Sequence, residues 1–242
     1  MAMQKESNTA QNCIEIHGLI KKYNYQAVLN DLHLTLEDGQ CCVLVGANGA
    51  GKTTLLRILA TLVRPDSGQI TLNSLPINAT PLYRRQIGYI GHQAMFYQDL
   101  NAVENLRHYG RLYQINDVEA AVTNGIEDVG LTTHAHKPVR TYSRGMQQRL
   151  SIARALIHNP SILLFDEPYT GLDQEAAFFL DTRLRQLHQP GRVILIAAHR
   201  PQRLIPIASH VAWLNDGKIS QHILVTQLSE SPELQAYLQE AP

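Results

Sequence analysis

The amino-acid sequence predicts an α/β fold built on a parallel sheet, and three observations predict it. The apolar run Cys41 to Val45 passes through a glycine-rich loop into Leu55, Leu56 and Leu59 at helical spacing. Two further continuous apolar runs, Ile162 to Phe165 and Val193 to Ala197, have the character of strands covered on both faces, as parallel strands are. Residues from about 95 to 158 are mostly helical in pattern, which marks a helical lobe inserted into the core.

Taken in order, Ile14 to Ile16 and Leu32 to Leu36 alternate as strands, and the turn Asp38-Gly39 leads into the Cys41 run. The helix after Lys52 carries apolar residues to Leu62 and Val63, until Arg64-Pro65-Asp66-Ser67-Gly68 breaks it. Leu150, Ala153, Leu156 and Ile157 read as a helix at the end of the lobe. In the tail, Leu214-Asn215-Asp216-Gly217-Lys218-Ile219 is a hairpin signal, and a short amphipathic helix is expected near Leu228 to Leu238.

The chain has 242 residues, 44% of them hydrophobic, so it can bury a sizeable core and is not disordered. We read residues 1–242 as one domain. With 21 Lys+Arg against 21 Asp+Glu and no basic run, it lacks the electrostatic footprint of a nucleic-acid binder, and no nucleic-acid partner is expected. Cys13, Cys41 and Cys42 form neither an even disulfide set nor a CxxC spacing, which points to a reducing cytosol. The first twelve residues lack a secretory apolar run, and no stretch approaches the roughly 18 apolar residues that cross a bilayer. The expectation is a chain that stays where it is made and serves a membrane only by docking onto another polypeptide.

The strongest chemical signal is Gly46-Ala47-Asn48-Gly49-Ala50-Gly51-Lys52-Thr53, a GxxxxGK[ST] loop between a strand and a helix. Glycines let the backbone fold around phosphate oxygens and present successive N–H groups to them. Lys52 can reach the β- and γ-phosphates, Thr53 can place its hydroxyl on Mg²⁺, and Thr54 completes the nucleotide-binding set. Ile162 to Phe165 ends in Asp166 and Glu167: Asp166 can hold Mg²⁺, and Glu167 can polarise a water for in-line attack. The NKxD element of guanine-nucleotide proteins does not occur, so adenine is favoured and ATP is the expected nucleotide. In Tyr142-Ser143-Arg144-Gly145-Met146-Gln147-Gln148-Arg149, Ser143 is a good helix N-cap beside a natural anion site.

These residues in this order resemble the nucleotide-binding subunit of ABC transporters over nearly the whole chain. The resemblance implies a P-loop NTPase (RecA-like) core with an N-terminal antiparallel β subdomain and an inserted helical subdomain. It also implies ATP hydrolysis coupled to a membrane transporter. Tyr142 to Arg149 looks like the LSGGQ signature, with Ser143 and Gly145 retained for γ-phosphate, Arg144 in place of the first glycine and Met146 in place of the glutamine. Ile162 to Glu167 looks like Walker B, Gly171-Leu172-Asp173 like the D-loop, and His199 like the switch histidine. Tyr23 falls where the family stacks an aromatic ring on adenine, although Tyr25 could serve as well. The Q-loop position falls on His92 or on Gln93, either of which would sense metal and water.

Gly88-Tyr89-Ile90-Gly91-His92-Gln93, followed by Asp99-Leu100 and Glu104-Asn105-Leu106, looks most like the ATPase subunit of the cytochrome c maturation transporter, a haem exporter. The family likeness implies a head-to-tail homodimer, an integral membrane permease as partner, and a peripheral place on the cytoplasmic face of the inner membrane. The Ala94 to Asp99 segment, with Met95, Phe96 and Tyr97, would meet a loop of the permease. The rival readings are an ATPase of another exporter (drug, lipid or polysaccharide), a soluble ABC-type ATPase, and a phosphate-loop kinase, which would need an acceptor pocket.

Overall fold

The computed structural model describes residues 13–91 and 95–240. The chain opens with antiparallel strands β1 (Ile14–Tyr23) and β2 (Gln26–Leu36). It continues through β3 (Cys41–Val45), α1 (Lys52–Leu59), β4 (Ser67–Leu72), β5 (Leu75–Pro76), α2 (Thr80–Arg84) and β6 (Ile87–Ile90). Helices α3 (Ala102–Leu112), α4 (Val118–Asp128) and α5 (Arg144–Leu156) make the inserted lobe. Then come β7 (Ile162–Asp166), α6 (Gln174–Leu187), β8 (Val193–Ala197), β9 (His210–Asn215), β10 (Lys218–Leu224) and α7 (Pro232–Glu240). Among the described residues the strands form an antiparallel sheet, β2-β1-β4-β5, and a second sheet, β10-β9-β3-β8-β7-β6. In the second, β6 to β9 and β3 run parallel, and only the edge strand β10 is antiparallel.

Every residue of β3, β7 and β8 is buried, which is why these strands read as unbroken apolar runs. Alternate side chains serve two cores. Cys41, Val43, Leu163, Phe165, Ile194 and Ile196 face the lobe and α6, while Cys42, Leu44, Ile162, Leu164 and Leu195 face α1 and the antiparallel sheet. In α1, Leu55, Leu56, Ile58 and Leu59 are fully buried, each stabilising the packing by about 1.5–3 kcal/mol. The strand order puts the carboxyl ends of β3, β8 and β7 side by side, with Ala197 in register with both Leu44 and Asp166. That edge is where ligands bind in open parallel sheets.

The structure departs from the sequence reading in three places. Helix α1 stops at Leu59, because Thr61 turns left-handed (φ 59°) and carries Leu62 and Val63 out of the helix. The last helix starts at Pro232 rather than near Leu228, and Val225–Glu230 is a 3-10 turn; proline has no N–H to give and suits a helix start. Strands β4, β5 and β6 were not expected. The Asp216-Gly217 turn does join β9 to β10 as expected, with both residues at positive φ.

Candidate active site

The loop after β3 must fold tightly, and its glycines permit it. A Cβ on Gly51 (φ 108°) would lie 2.8 Å from Leu29 Cδ2 and 3.0 Å from Val28 O. The same residue caps α1 without a side chain, so no side-chain oxygen occupies the first amides of that helix. Lys52 is 7% exposed, and its Nζ donates to Gly46 O (2.6 Å) and Ala47 O (3.1 Å). The loop thus wraps its own ammonium group. Burial pushes Lys52 below its usual value, and the carboxylates of Glu167 and Asp166 oppose that shift.

Thr53, next to it, donates from Oγ1 to Asp166 Oδ1 at 2.9 Å, which ties the start of α1 to the end of β7. Asp166 is 2% exposed. Tyr89 of β6 lies over the other carboxylate oxygen at 3.5 Å, and burial together with the Asp166 charge pushes its phenol up to about 12. Glu167 follows in a left-handed conformation (φ 52°), uncommon for a residue with a side chain and a feature that clusters at functional sites. Its amide donates to Ala197 O (3.0 Å), and His199 Nδ1 lies 2.6 Å from Glu167 Oε2. An ionised carboxylate only accepts, so the histidine donates. Ammonium, hydroxyl, two carboxylates and imidazole therefore converge at three adjacent strand ends.

Ser143 and Gly145 lie elsewhere. Ser143 caps α5 as expected, its Oγ accepting from Met146 N at 3.2 Å. Together with Asp173, Glu175 and Ala176 these two residues line a cleft of about 240 Å³ that no phosphate-loop residue enters. Asp173 caps α6, its Oδ1 accepting from Ala176 N at 2.8 Å. Arg144 donates to Thr170 O (2.8 Å) and Gln148 to Pro168 O (3.1 Å), so α5 is bonded to the segment after Glu167. Neither bond was read from the sequence; only Gln148's place in the Tyr142 to Arg149 motif hinted at it.

Tyr23 ends β1 half exposed, with Lys21 Nζ 5.3 Å above its ring, whereas Tyr25 stands fully exposed at the β1–β2 turn. His92, Gln93 and Ala94 lie outside the described residues. Beyond them Met95 and Tyr97 are exposed, and Phe96 packs on the core under Arg154. Tyr89, Met95, Tyr109, Arg154 and His158 help line an adjacent recess of about 300 Å³. Sequence reading gave Tyr89 and Arg154 no role; Arg154 donates to Tyr89 O at 2.7 Å. No helix among the described residues is long and apolar enough to cross a membrane.

A family model described as ABC transporter matches residues 29–170. The ABC transporter ATP-binding protein NatA of Bacillus subtilis is 34% identical over 215 residues, which cover 87% of each chain. Nod factor export ATP-binding protein I of Cupriavidus pinatubonensis is 36% identical over 208 residues, 85% of this chain, and the chain spans only 64% of that relative's length. Among solved structures, the ATP-binding cassette MJ0796, a dimer in a post-hydrolysis state bound to ADP and Pi, superposes with a TM-score of 0.79. It is 22% identical and covers 88% of this chain and 98% of its own, a likeness of fold. The chain belongs to the ABC transporter family and carries that family's ATP-binding, ATP-hydrolysing domain.

Proposed function

We propose that residues 1–242 act as one nucleotide-binding domain, the ATP-hydrolysing subunit of an ABC exporter on the cytoplasmic face of the cell membrane. The observation that carries this reading is the convergence of Lys52, Thr53, Asp166, Glu167 and His199 on one edge of the sheet. Gly46 to Thr54 hold the phosphates of ATP, and Tyr23 stacks on its base. Thr53 and Asp166 present hard oxygen donors of the kind Mg²⁺ takes, and the ion would neutralise charge on the β- and γ-phosphates. Glu167 accepts a proton from the attacking water as its oxygen bonds to the γ-phosphorus; the bond to the leaving ADP oxygen breaks, releasing ADP and phosphate. His199 orients the Glu167 carboxylate, while His92 or Gln93 senses metal and water.

Because Ser143, Gly145 and Asp173 line a separate cleft, a head-to-tail second copy is the reading that brings them onto ATP. Met95 and Tyr97, exposed beside the recess over Tyr89 and Arg154, suit contact with a membrane permease. The narrower reading, a haem-handling subunit of cytochrome c maturation, rests on Gly88 to Gln93 and the Glu104-Asn105-Leu106 triplet. The relatives' names cite other cargoes, Nod factor export and, in Fusobacterium nucleatum, spermidine/putrescine import. Gentle purification from native membranes with mass spectrometry of the integral partner tests both levels. A cytochrome c maturation subunit supports the haem reading; a different permease removes it; no membrane partner overturns the exporter assignment.

A further inference from the structure

The two oxygens of Asp166 are engaged by two different elements. Oδ1 accepts from Thr53 Oγ1 at 2.9 Å, at the start of α1, and Oδ2 accepts from the hydroxyl of Tyr89 at 3.5 Å, on β6. The register of the sheet accounts for the second contact. Tyr89 pairs with Leu164 of β7; because strand side chains alternate, Asp166, two residues further on, points to the same face as Leu164 and comes within reach of the tyrosine. Tyr89 is itself held at both ends. Arg154, on α5 and 8% exposed, donates from Nη2 to Tyr89 O at 2.7 Å. At the far end of the ring, Gly91 lies so close that a Cβ there would stand 2.7 Å from the phenolic oxygen. The phenol, pushed up to about 12 chiefly by burial, keeps its proton at neutral pH and so is the donor to the carboxylate.

We propose that Tyr89 is a positioning residue of the metal site, its hydroxyl fixing the rotation of the Asp166 carboxylate whose other oxygen Thr53 engages. An aspartate carboxylate turns easily about its last side-chain bond, where the torsional preference is broad. A donor on each oxygen removes that freedom before a cation arrives, as hydrogen bonds behind the ligands of metal sites do generally. In this role Tyr89 acts through Asp166 and supplies no ligand itself. The inference rests on the reading of Thr53 and Asp166 as the Mg²⁺ donors given above.

The test uses the full chain, in excess over a non-hydrolysable ATP analogue, with Mn²⁺ in place of Mg²⁺ and its bound fraction read by electron paramagnetic resonance. Mn²⁺ suits the same kind of oxygen donors. Tyr89→Phe keeps the ring and loses the hydroxyl. It is expected to bind Mn²⁺ about two- to tenfold more weakly, as the loss of one hydrogen bond predicts, while Tm and the affinity for the analogue in EDTA stay at wild-type values. An unchanged Mn²⁺ affinity overturns the proposal. An equal loss of metal-free nucleotide binding also overturns it, because Tyr89 would then support the whole loop rather than the carboxylate. A wild-type chain that binds the analogue but no Mn²⁺ would instead strike the metal-donor reading.

Discussion

His199 Nδ1 and Glu167 Oε2 stand 2.6 Å apart across the ends of two neighbouring strands, β8 and β7. The histidine supplies the carboxylate with an oriented donor, and the left-handed backbone at Glu167 turns that carboxylate out of the β7 line. Removing the negative oxygen should stop proton acceptance and leave nucleotide binding intact. Glu167→Gln is therefore expected to bind ATP with wild-type affinity and to turn over at least about a hundredfold more slowly. Single-turnover hydrolysis beside equilibrium binding checks it, and wild-type rates would remove Glu167 from the chemistry.

The second expectation concerns Gly51. Alanine there meets Leu29 and Val28 at 2.8 to 3.2 Å and must hold φ 108°, so it combines a clash with an unfavourable backbone. Gly51→Ala should lose more than about 1 kcal/mol of stability and weaken ATP binding, because the first amides of α1 shift with it. Denaturant unfolding and nucleotide titration measure the two effects separately. Retention of both would show that β2 yields easily beneath the loop.

A pH effect follows from His158. Its ring stacks on Tyr113 at 3.7 Å, and its Nε2 lies 3.0 Å from Ile87 O. Burial, with the nearby Arg154 charge adding and the Ile87 carbonyl opposing, lowers its pKa from 6.5 to about 4. The unfolded chain therefore takes up this proton before the folded chain does. Stability should be full above about pH 6.5 and fall as the pH drops toward 4. His210 and His222, also lowered mainly by burial, add the same sign. His158→Gln should thus show a shallower loss of Tm between pH 7.5 and 5, not a flat one. An equal slope in both proteins would refute the assignment.

What could be read in advance followed from how local each signal is. The loop Gly46 to Thr53 is contiguous, and strands β3, β7 and β8 betray themselves because both faces are covered. Strands β4 and β6 carry Gly68 and Gly88 and take their form from partners distant in sequence, β1 and β7. The end of α1 was overrun because Leu62 and Val63 keep the apolar spacing after Thr61 has already left the helix. At the site, the carboxylate pair was visible as a strand end. The Arg144 bond to Thr170 and the Tyr237 stack on Trp213 exist only once the chain has folded.

Arg144 supplies the last expectation. It follows Ser143, the cap of α5, and its Nε donates to Thr170 O at 2.8 Å, while its guanidinium covers Gly171 so closely that a Cβ there would lie 2.6 Å from Nε. Thr170 N in turn bonds Glu167 O at 3.2 Å, so the arginine steadies the turn that begins at Glu167. Glycine in its place removes one side-chain hydrogen bond and loosens the first turn of α5. Together these should lower stability by about 1–2 kcal/mol. Because none of these atoms belongs to the phosphate loop, Arg144→Gly should keep its ATP affinity and lose turnover by several-fold. Arg144→Lys, which lacks the planar fork, should recover little of it. A glycine variant with wild-type turnover would show that the arginine merely fills space, and one with weakened ATP affinity would show that the start of α5 contributes to nucleotide binding itself.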